Sequence, residues 1–152
     1  MVRTRTEIDE LAIGPDLVEA IVRHCARALP NEGCGLLSGR PIGATLFGGQ
    51  FFPGTNVLAS PSRFAMDPAE VVAALTAIDA GGDRLGAIVH SHPVTGATPS
   101  RTDLQEAYYP EALLLIVSLA NDAPRLRAWR VKPGDGLLEG VIEVPIRVGP
   151  PR

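Results

Sequence analysis

Two histidines separated by one residue, His90-Ser91-His92, stand at the end of an apolar run, Leu85 to Val89. No other feature constrains the fold as much. If the run is a strand, side chains two apart share a face, so both imidazoles aim at one point just beyond it. Asp103 follows His92 by eleven residues, close enough to return a carboxylate to the same point. Two neutral nitrogens, one oxygen and a position left open describe a catalytic zinc site rather than a closed structural one. A chain built around this feature needs a buried strand and a loop that turns back at its C-terminal end.

A site of that kind needs a core to hold it. At 152 residues with 45% hydrophobic and 20% charged side chains, the chain is read as one soluble globular domain over residues 1–152. The net charge of -3 supplies no basic stripe for a nucleic-acid partner. Cys25 and Cys34 are too few for a disulfide framework. Residues Met1 to Glu10 lack the apolar stretch of a signal peptide. The longest apolar run, Ala112 to Val117, is far too short to span a membrane. These observations predict a cytoplasmic protein with reduced thiols; self-association into a homodimer stays open.

Taken in order, Ile8, Leu11 and Ile13 suggest a short first strand. Pro15 opens a helix whose stripe is Leu17, Ile21, Cys25 and Ala28, widened by Val18, Val22 and Leu29, and Pro30 ends it. Asn31-Glu32-Gly33 turns into a continuously apolar strand through Gly39, as expected for a strand covered on both faces. Ala44 to Phe52 reads as a second strand with a bend or bulge at Gly48-Gly49, followed by loop from Pro53 to Ser62. Asp67-Pro68-Ala69-Glu70 reads as cap, first-turn proline and capping-box acid. Val71, Val72, Leu75 and Ile78 form that helix's apolar face, and Gly81-Gly82 stops it. After the histidine strand come a short helix from Ser100 to about Tyr108, a buried strand from Ala112 to Ala120, and a returning strand with Leu126, Ala128 and Val131. The turn Lys132 to Gly136 leads to a last strand within Leu137 to Val144. The proline-rich tail from about 145 reads as loose. Strands outnumber helices, which favours an α/β (α+β) sandwich around a mixed sheet.

Metal-assisted hydrolysis of an amide needs ligands, a base and a donor for the oxyanion. His90, His92 and Asp103, with Glu32 and Ser100, are the candidates. Each has an ordinary reading too. Ser100-x-x-Asp103 is close to a helix capping box, Glu32 suits a solvated turn, and His24 suits a half-exposed helix surface. Cys34 suits a small core residue better than a nucleophile, since a reactive thiol needs an exposed electropositive setting. Phe51, Phe52, Tyr108 and Tyr109 suit packing more than a substrate groove. The strength of the metal-site reading lies in the joint occurrence of these residues.

His90-Ser91-His92-Pro93, then Ser100-x-x-Asp103, resembles the signature of the JAMM (MPN+) metalloproteases. Glu32-Gly33-Cys34-Gly35-Leu36-Leu37-Ser38-Gly39 is similar to that family's glutamate-bearing strand, and Phe64-Ala65-Met66-Asp67-Pro68 to the opening of its second helix. The resemblance covers roughly Leu11 to Val131. It implies a three-layer fold with a curved mixed sheet between helices, of the MPN/JAB, cytidine-deaminase-like type. It implies His90, His92 and Asp103 as zinc (Zn2+) ligands, Glu32 as general base and acid toward water activated by the metal, and Ser100 as a hydrogen-bond donor to the oxyanion. All five positions match, unlike those of inactive, scaffold-only members. Size and compact loops are most similar to small bacterial Mec-like enzymes. That likeness implies a ubiquitin-like sulfur carrier with a Gly-Gly C-terminus as substrate, and release of cysteine from it during cysteine synthesis. The alternatives are a deubiquitinase-like peptidase of other substrate, a non-catalytic module that grips a protein tail, and a thiol hydrolase using Cys34.

Overall fold

In the computed structural model, residues 7–106, 109–131 and 140–149 are described. In chain order the elements are β1 (Glu10–Ile13), α1 (Pro15–Ala28), β2 (Cys34–Ile42), β3 (Thr45–Gly54), α2 (Pro68–Ala80), β4 (Arg84–His92), α3 (Arg101–Gln105), β5 (Leu113–Ser118), β6 (Arg125–Val131), β7 (Val141–Val144) and β8 (Ile146–Val148). The strands form one sheet in the order β7-β6-β5-β4-β2-β3-β1-β8. It is mixed: β4 pairs parallel with β5, and β1 pairs parallel with both β3 and β8, whereas β2 pairs antiparallel with β3 and β4. The Lys132–Gly136 turn, Tyr108 and Leu137–Glu139 lie outside the described residues.

Alternation along the central strands sorts the layers. Leu37, Ala87, Val89, Leu113, Leu115 and Val117 pack with Ile21 and Cys25 of α1 in the main core. Leu114, Ile116, Trp129 and Ala97 form a second cluster with Ile88 on the other face, where α2 and α3 lie. Both faces of β5 are therefore covered, and all six of its residues are buried, which is why the strand reads as uninterrupted apolar sequence. The result is the three-layer α+β arrangement around a mixed sheet that the sequence predicts. Among the described residues no helix is long and apolar enough to cross a membrane.

Local chemistry sets most boundaries. Gly43, at φ +62°, supplies the left-handed backbone of the tight β2–β3 turn, which other residues adopt only under strain. The irregularity expected at Gly48-Gly49 is present: the pairing slips between Leu37 and Gly39, and Ser38 Oγ accepts the Gln50 N–H at 2.8 Å. A Cβ on Gly49 would stand 2.8 Å from that hydroxyl, so a larger residue would push it out of its bond to Gln50.

Three expectations are corrected. Val72 is 65% exposed, and the inward face of α2 is centred on the buried Ala74 and Ile78; a helix covering one sheet face needs only a narrow stripe. Glu70 does not complete a capping box, because its Oε2 accepts the Thr55 N–H at 3.0 Å, while Asp67 caps through the Ala69 N–H. The tail from about 145 is not loose as far as it is described. Ile146–Val148 pairs with Leu11–Ile13, because β1 would otherwise leave one edge unpaired.

Removing residues 146–152 should therefore lower stability by about 2 kcal/mol, from lost strand pairing and re-exposure of Ile146. Urea unfolding of the shortened chain checks this, and an unchanged midpoint would return the tail to its loose reading.

Candidate functional site

The register between β2 and β4 performs the first part of the assembly. Cys34 stands opposite His90, and the ladder continues past the end of β2. The Ser91 N–H donates to Gly33 O at 3.0 Å, and the Gly33 N–H donates to Ser91 Oγ at 2.7 Å. One more step in this register sets Glu32 opposite His92, and directly opposed residues of an antiparallel pair share a face. The serine between the histidines thus points to the far side of the strand and fastens the segment that carries Glu32.

The loop after His92 is held from below. Ser118 Oγ donates to Thr95 O at 2.6 Å, and Trp129 Nε1 donates to Ala97 O at 2.9 Å. These anchors on β5 and β6 bring the chain round to Ser100, the N-cap of α3. Ser100 Oγ accepts the Asp103 N–H at 3.0 Å, and Asp103 Oδ2 accepts the Ser100 N–H at 2.8 Å. The capping box is therefore real, and it aims the Asp103 carboxylate at the histidines. Ser100 itself is exposed, and as an acceptor from Asp103 it keeps its hydroxyl proton to donate elsewhere.

The three side chains meet closely. His90 Nε2 and His92 Nε2 lie 3.2 Å apart, with Asp103 Oδ1 3.1 Å from the first and Oδ2 3.0 Å from the second. His92 Nδ1 donates to Gly96 O at 2.8 Å, so in the neutral ring Nε2 carries only a lone pair. Electron-rich atoms converge at a triangle whose edges repel unless a cation or a proton sits among them. Ligands at about 2.0–2.1 Å from a tetrahedral zinc stand about 3.3–3.4 Å apart, so the donor set fits such an ion. Among the described residues this is the one grouping of three His, Cys, Asp or Glu side chains with metal-ligand spacing. Among the described residues the second nitrogen of His90, Nδ1, is buried without a hydrogen-bond partner. Its ring is instead stacked on Phe64, centroids 4.7 Å apart.

The two carboxylates are driven in opposite directions. Burial raises the Asp103 pKa, but the hydrogen bonds to His90 and His92 outweigh it and hold this carboxyl far below the usual carboxylate range. Glu32 is 4% exposed, and its Oε1 is buried with no hydrogen-bond partner among the described residues. Burial first, then the charge of Asp103, pushes it up to about 7, with His92 pulling the other way. Burial lowers the His92 pKa, but the hydrogen bonds to Asp103 and Gly96 and the nearby carboxylates carry it above its ordinary value. A carboxyl poised near neutrality beside a donor cluster that could hold a cation suits proton transfer to and from water.

Other sequence candidates fall elsewhere. His24 Nε2 lies 3.0 Å from both Cys34 O and Gly54 O, a backbone tie outside the donor group. Cys34 is fully buried and pushed up to about 12, by burial first, which removes the thiol-hydrolase reading. Tyr109 is 45% exposed and lines a cavity of about 480 Å³ with Leu36, Phe64, Met66, Val71 and Ile88. Phe51 instead packs against the main core. Sequence reasoning missed the Phe64 ring over His90, the Gly96 carbonyl behind His92 and the grip of Ser91 on Gly33. The first two are contacts made by loop geometry, which no spacing encodes.

A family model for prokaryotic homologs of the JAB domain matches residues 14–132. A CysO-cysteine peptidase of Mycobacterium tuberculosis is 36% identical over 140 residues, covering 91% of this chain and 90% of the relative. A desampylase of Haloferax volcanii is 34% identical over 113 residues, covering 71% and 80%. Among solved structures, the solution structure of a Desulfitobacterium hafniense protein superimposes with a TM-score of 0.80 at 34% identity, covering 91% of this chain and 92% of that one.

The Glu32 shift has a consequence for stability in metal-free protein. Between its ordinary pKa of 4.5 and its folded value of about 7, the folded state holds more proton than the unfolded one, so this group lowers stability as pH rises through that window. Glu32→Gln removes the decline. In chelator, the variant's stability advantage over the wild type should be near zero at pH 4.5 and reach its full size by pH 8, as read by urea unfolding. An advantage that does not change with pH would contradict the burial of an ionisable Glu32.

Proposed function

The chain belongs to the family of prokaryotic homologs of the JAB domain, and from that membership we infer a zinc-dependent peptidase acting on an adduct of a ubiquitin-like sulfur carrier. It cleaves the amide or isopeptide-type bond after the carrier's C-terminal Gly-Gly and, for a carrier-cysteine adduct, releases cysteine. The name of the mycobacterial relative supports this substrate class. Residues 14–132 supply the peptidase domain, acting in the cytoplasm. The observation that carries the reading is the convergence of His90 Nε2, His92 Nε2 and the Asp103 carboxylate at 3.0–3.2 Å, with buried Glu32 opposite His92 in the β2–β4 register.

His90, His92 and Asp103 hold the ion. When bound, zinc polarises the scissile carbonyl and makes water acidic near neutral pH. Glu32 takes the proton of the attacking water and delivers it to the leaving amine, two transfers that its elevated pKa suits. Its low exposure keeps bulk water from competing for that proton. Ser100 turns its free hydroxyl proton toward the developing oxyanion, while Asp103 N–H keeps its oxygen in place. The Gly96 carbonyl fixes the His92 tautomer, leaving Nε2 for the ion. The apolar cavity over Leu36 and Ile88 lies on the histidine face of the sheet and offers the carrier's tail an apolar berth. Two glycines before the cleaved bond suit a site closed in by Glu32 and the Phe64 ring.

Purified protein should contain about one zinc per chain, as a single site of four-coordinate type requires, and chelation should abolish cleavage of a carrier-cysteine adduct. Glu32→Gln should keep the zinc and lower kcat by about 10²–10⁴-fold. Metal analysis alongside single-turnover kinetics tests both; full activity in chelator, or a native rate in Glu32→Gln, would overturn the mechanism.

A further inference from the structure

Glu32 must be held in place, yet among the described residues its Oε1 has no hydrogen-bond partner. Its orientation therefore comes from the main chain. On one side the Gly33 N–H is fixed by Ser91 Oγ. On the other, the Glu32 N–H donates to Ser60 O at 2.8 Å, and Glu32 O accepts from Asn56 Nδ2 at 3.0 Å. Both of the latter partners belong to the loop between β3 and α2.

That loop has little packing of its own. Val57 and Leu58 are 53% and 47% exposed, and 57–59 and 61–63 are exposed throughout. Segments with so few buried contacts open easily unless hydrogen bonds hold them. Backbone bonds close its base, with the Val57 N–H donating to Ala65 O and the Asp67 N–H to Thr55 O, each at 2.9 Å, and the side-chain bonds converge on Asn56. Asn56 Nδ2 donates to Arg63 O at 3.0 Å as well as to Glu32 O, and approaches Ser60 O at 3.5 Å. Asn56 Oδ1 accepts the N–H groups of Leu58 and Ala65, each at 3.1 Å. Arg63 and Ala65 flank Phe64, whose ring stacks on His90. One carboxamide thus grips the backbone on both sides of the ring over His90, and the backbone of Glu32.

We propose that Asn56 is a positioning residue for the hydrolytic reaction, setting Glu32 and Phe64 in fixed relation to the His90-His92-Asp103 cluster. This rests on the reading of Glu32 as the proton-transfer group. The chemistry selects asparagine. Two carbonyl oxygens need donors and two N–H groups need an acceptor, and a carboxamide supplies both from one short stem. An aspartate would keep the acceptor but turn a charged oxygen toward Glu32 O and Arg63 O, and a leucine would supply neither. Small displacements of a reacting group suffice to slow catalysis greatly, so loosening this tie acts on turnover rather than on metal binding.

The test uses Asn56→Leu and Asn56→Asp in the full-length chain. Both should bind zinc one-to-one and keep wild-type amide protection in β4 and β5. In metal-free protein, NMR should show loss of the Phe64–His90 ring contacts and about tenfold or faster exchange of the Glu32 and Ala65 amides, as expected for local opening. With zinc and a carrier-cysteine adduct, kcat should fall by about 10²-fold while KM stays within about threefold. In a Glu32→Gln background the same Asn56 substitutions should cost less than about twofold more, because they act through Glu32. Retained ring contacts and slow amide exchange in a folded variant would overturn the proposal, as would a full additional loss in the Glu32→Gln background. Should the wild type leave the carrier adduct uncleaved, the substrate reading fails, and the ring contacts and amide exchange still decide the role of Asn56.

Discussion

The site depends on one pairing, the antiparallel register of β2 on β4. With Cys34 opposite His90 and the Gly33–Ser91 bonds continuing the ladder, Glu32 comes to stand across from His92. A slip of one residue would turn Glu32 to the α1 side of the sheet, since side chains alternate. The irregularities in this pairing fall at Leu37 and Ser38, five and six residues from Glu32. The Ser38 hydroxyl and Gly49 absorb the mismatch there.

Within that frame, two carboxylates near the same imidazoles acquire opposite characters. Asp103 is bound by both histidines and by the Ser100 N–H, so it stays charged and serves as an anchor. Glu32 has no such donors and is nearly sealed from water, so its proton is held to about neutral pH. Under the proposed function, environments that push two carboxyl groups apart in this way would give Asp103 the role of ligand and Glu32 that of proton carrier. The capping box contributes directly, because the bond that stabilises the start of α3 also orients the acid. Structural and chemical readings of Ser100 and Asp103, which compete when the residues are viewed alone, describe one arrangement.

Much of the fold was legible because it follows from local rules. The buried strands β4 and β5 stand out as apolar runs, Pro15 and Pro68 mark helix starts, and Gly81-Gly82 marks a stop. Legibility failed where a choice between partners is made at a distance. Glu70 has the spacing of a capping acid but bonds Thr55, a residue brought close only by the loop. Ile146–Val148 reads as tail by composition, yet it fills the open edge of β1, which is placed by the parallel pairing of β1 with β3. Val72 has the right period and the wrong side, because the direction of α2 is set by the sheet beneath it.

By itself the sequence determined the donor set: His90 and His92 on one face of a strand, Asp103 on a first helical turn, and Ser100 at its cap. Those relations are local, and strand alternation and helix capping are enough to specify them. Only the tertiary structure decided that Glu32, fifty-eight residues before His90, is the buried carboxyl beside them, and that Phe64 covers His90. It also decided that Asn56 ties both to one loop. Those relations depend on the β2–β4 register and on hydrogen bonds across the β3–α2 loop, and neither is encoded in the spacing of the residues they join.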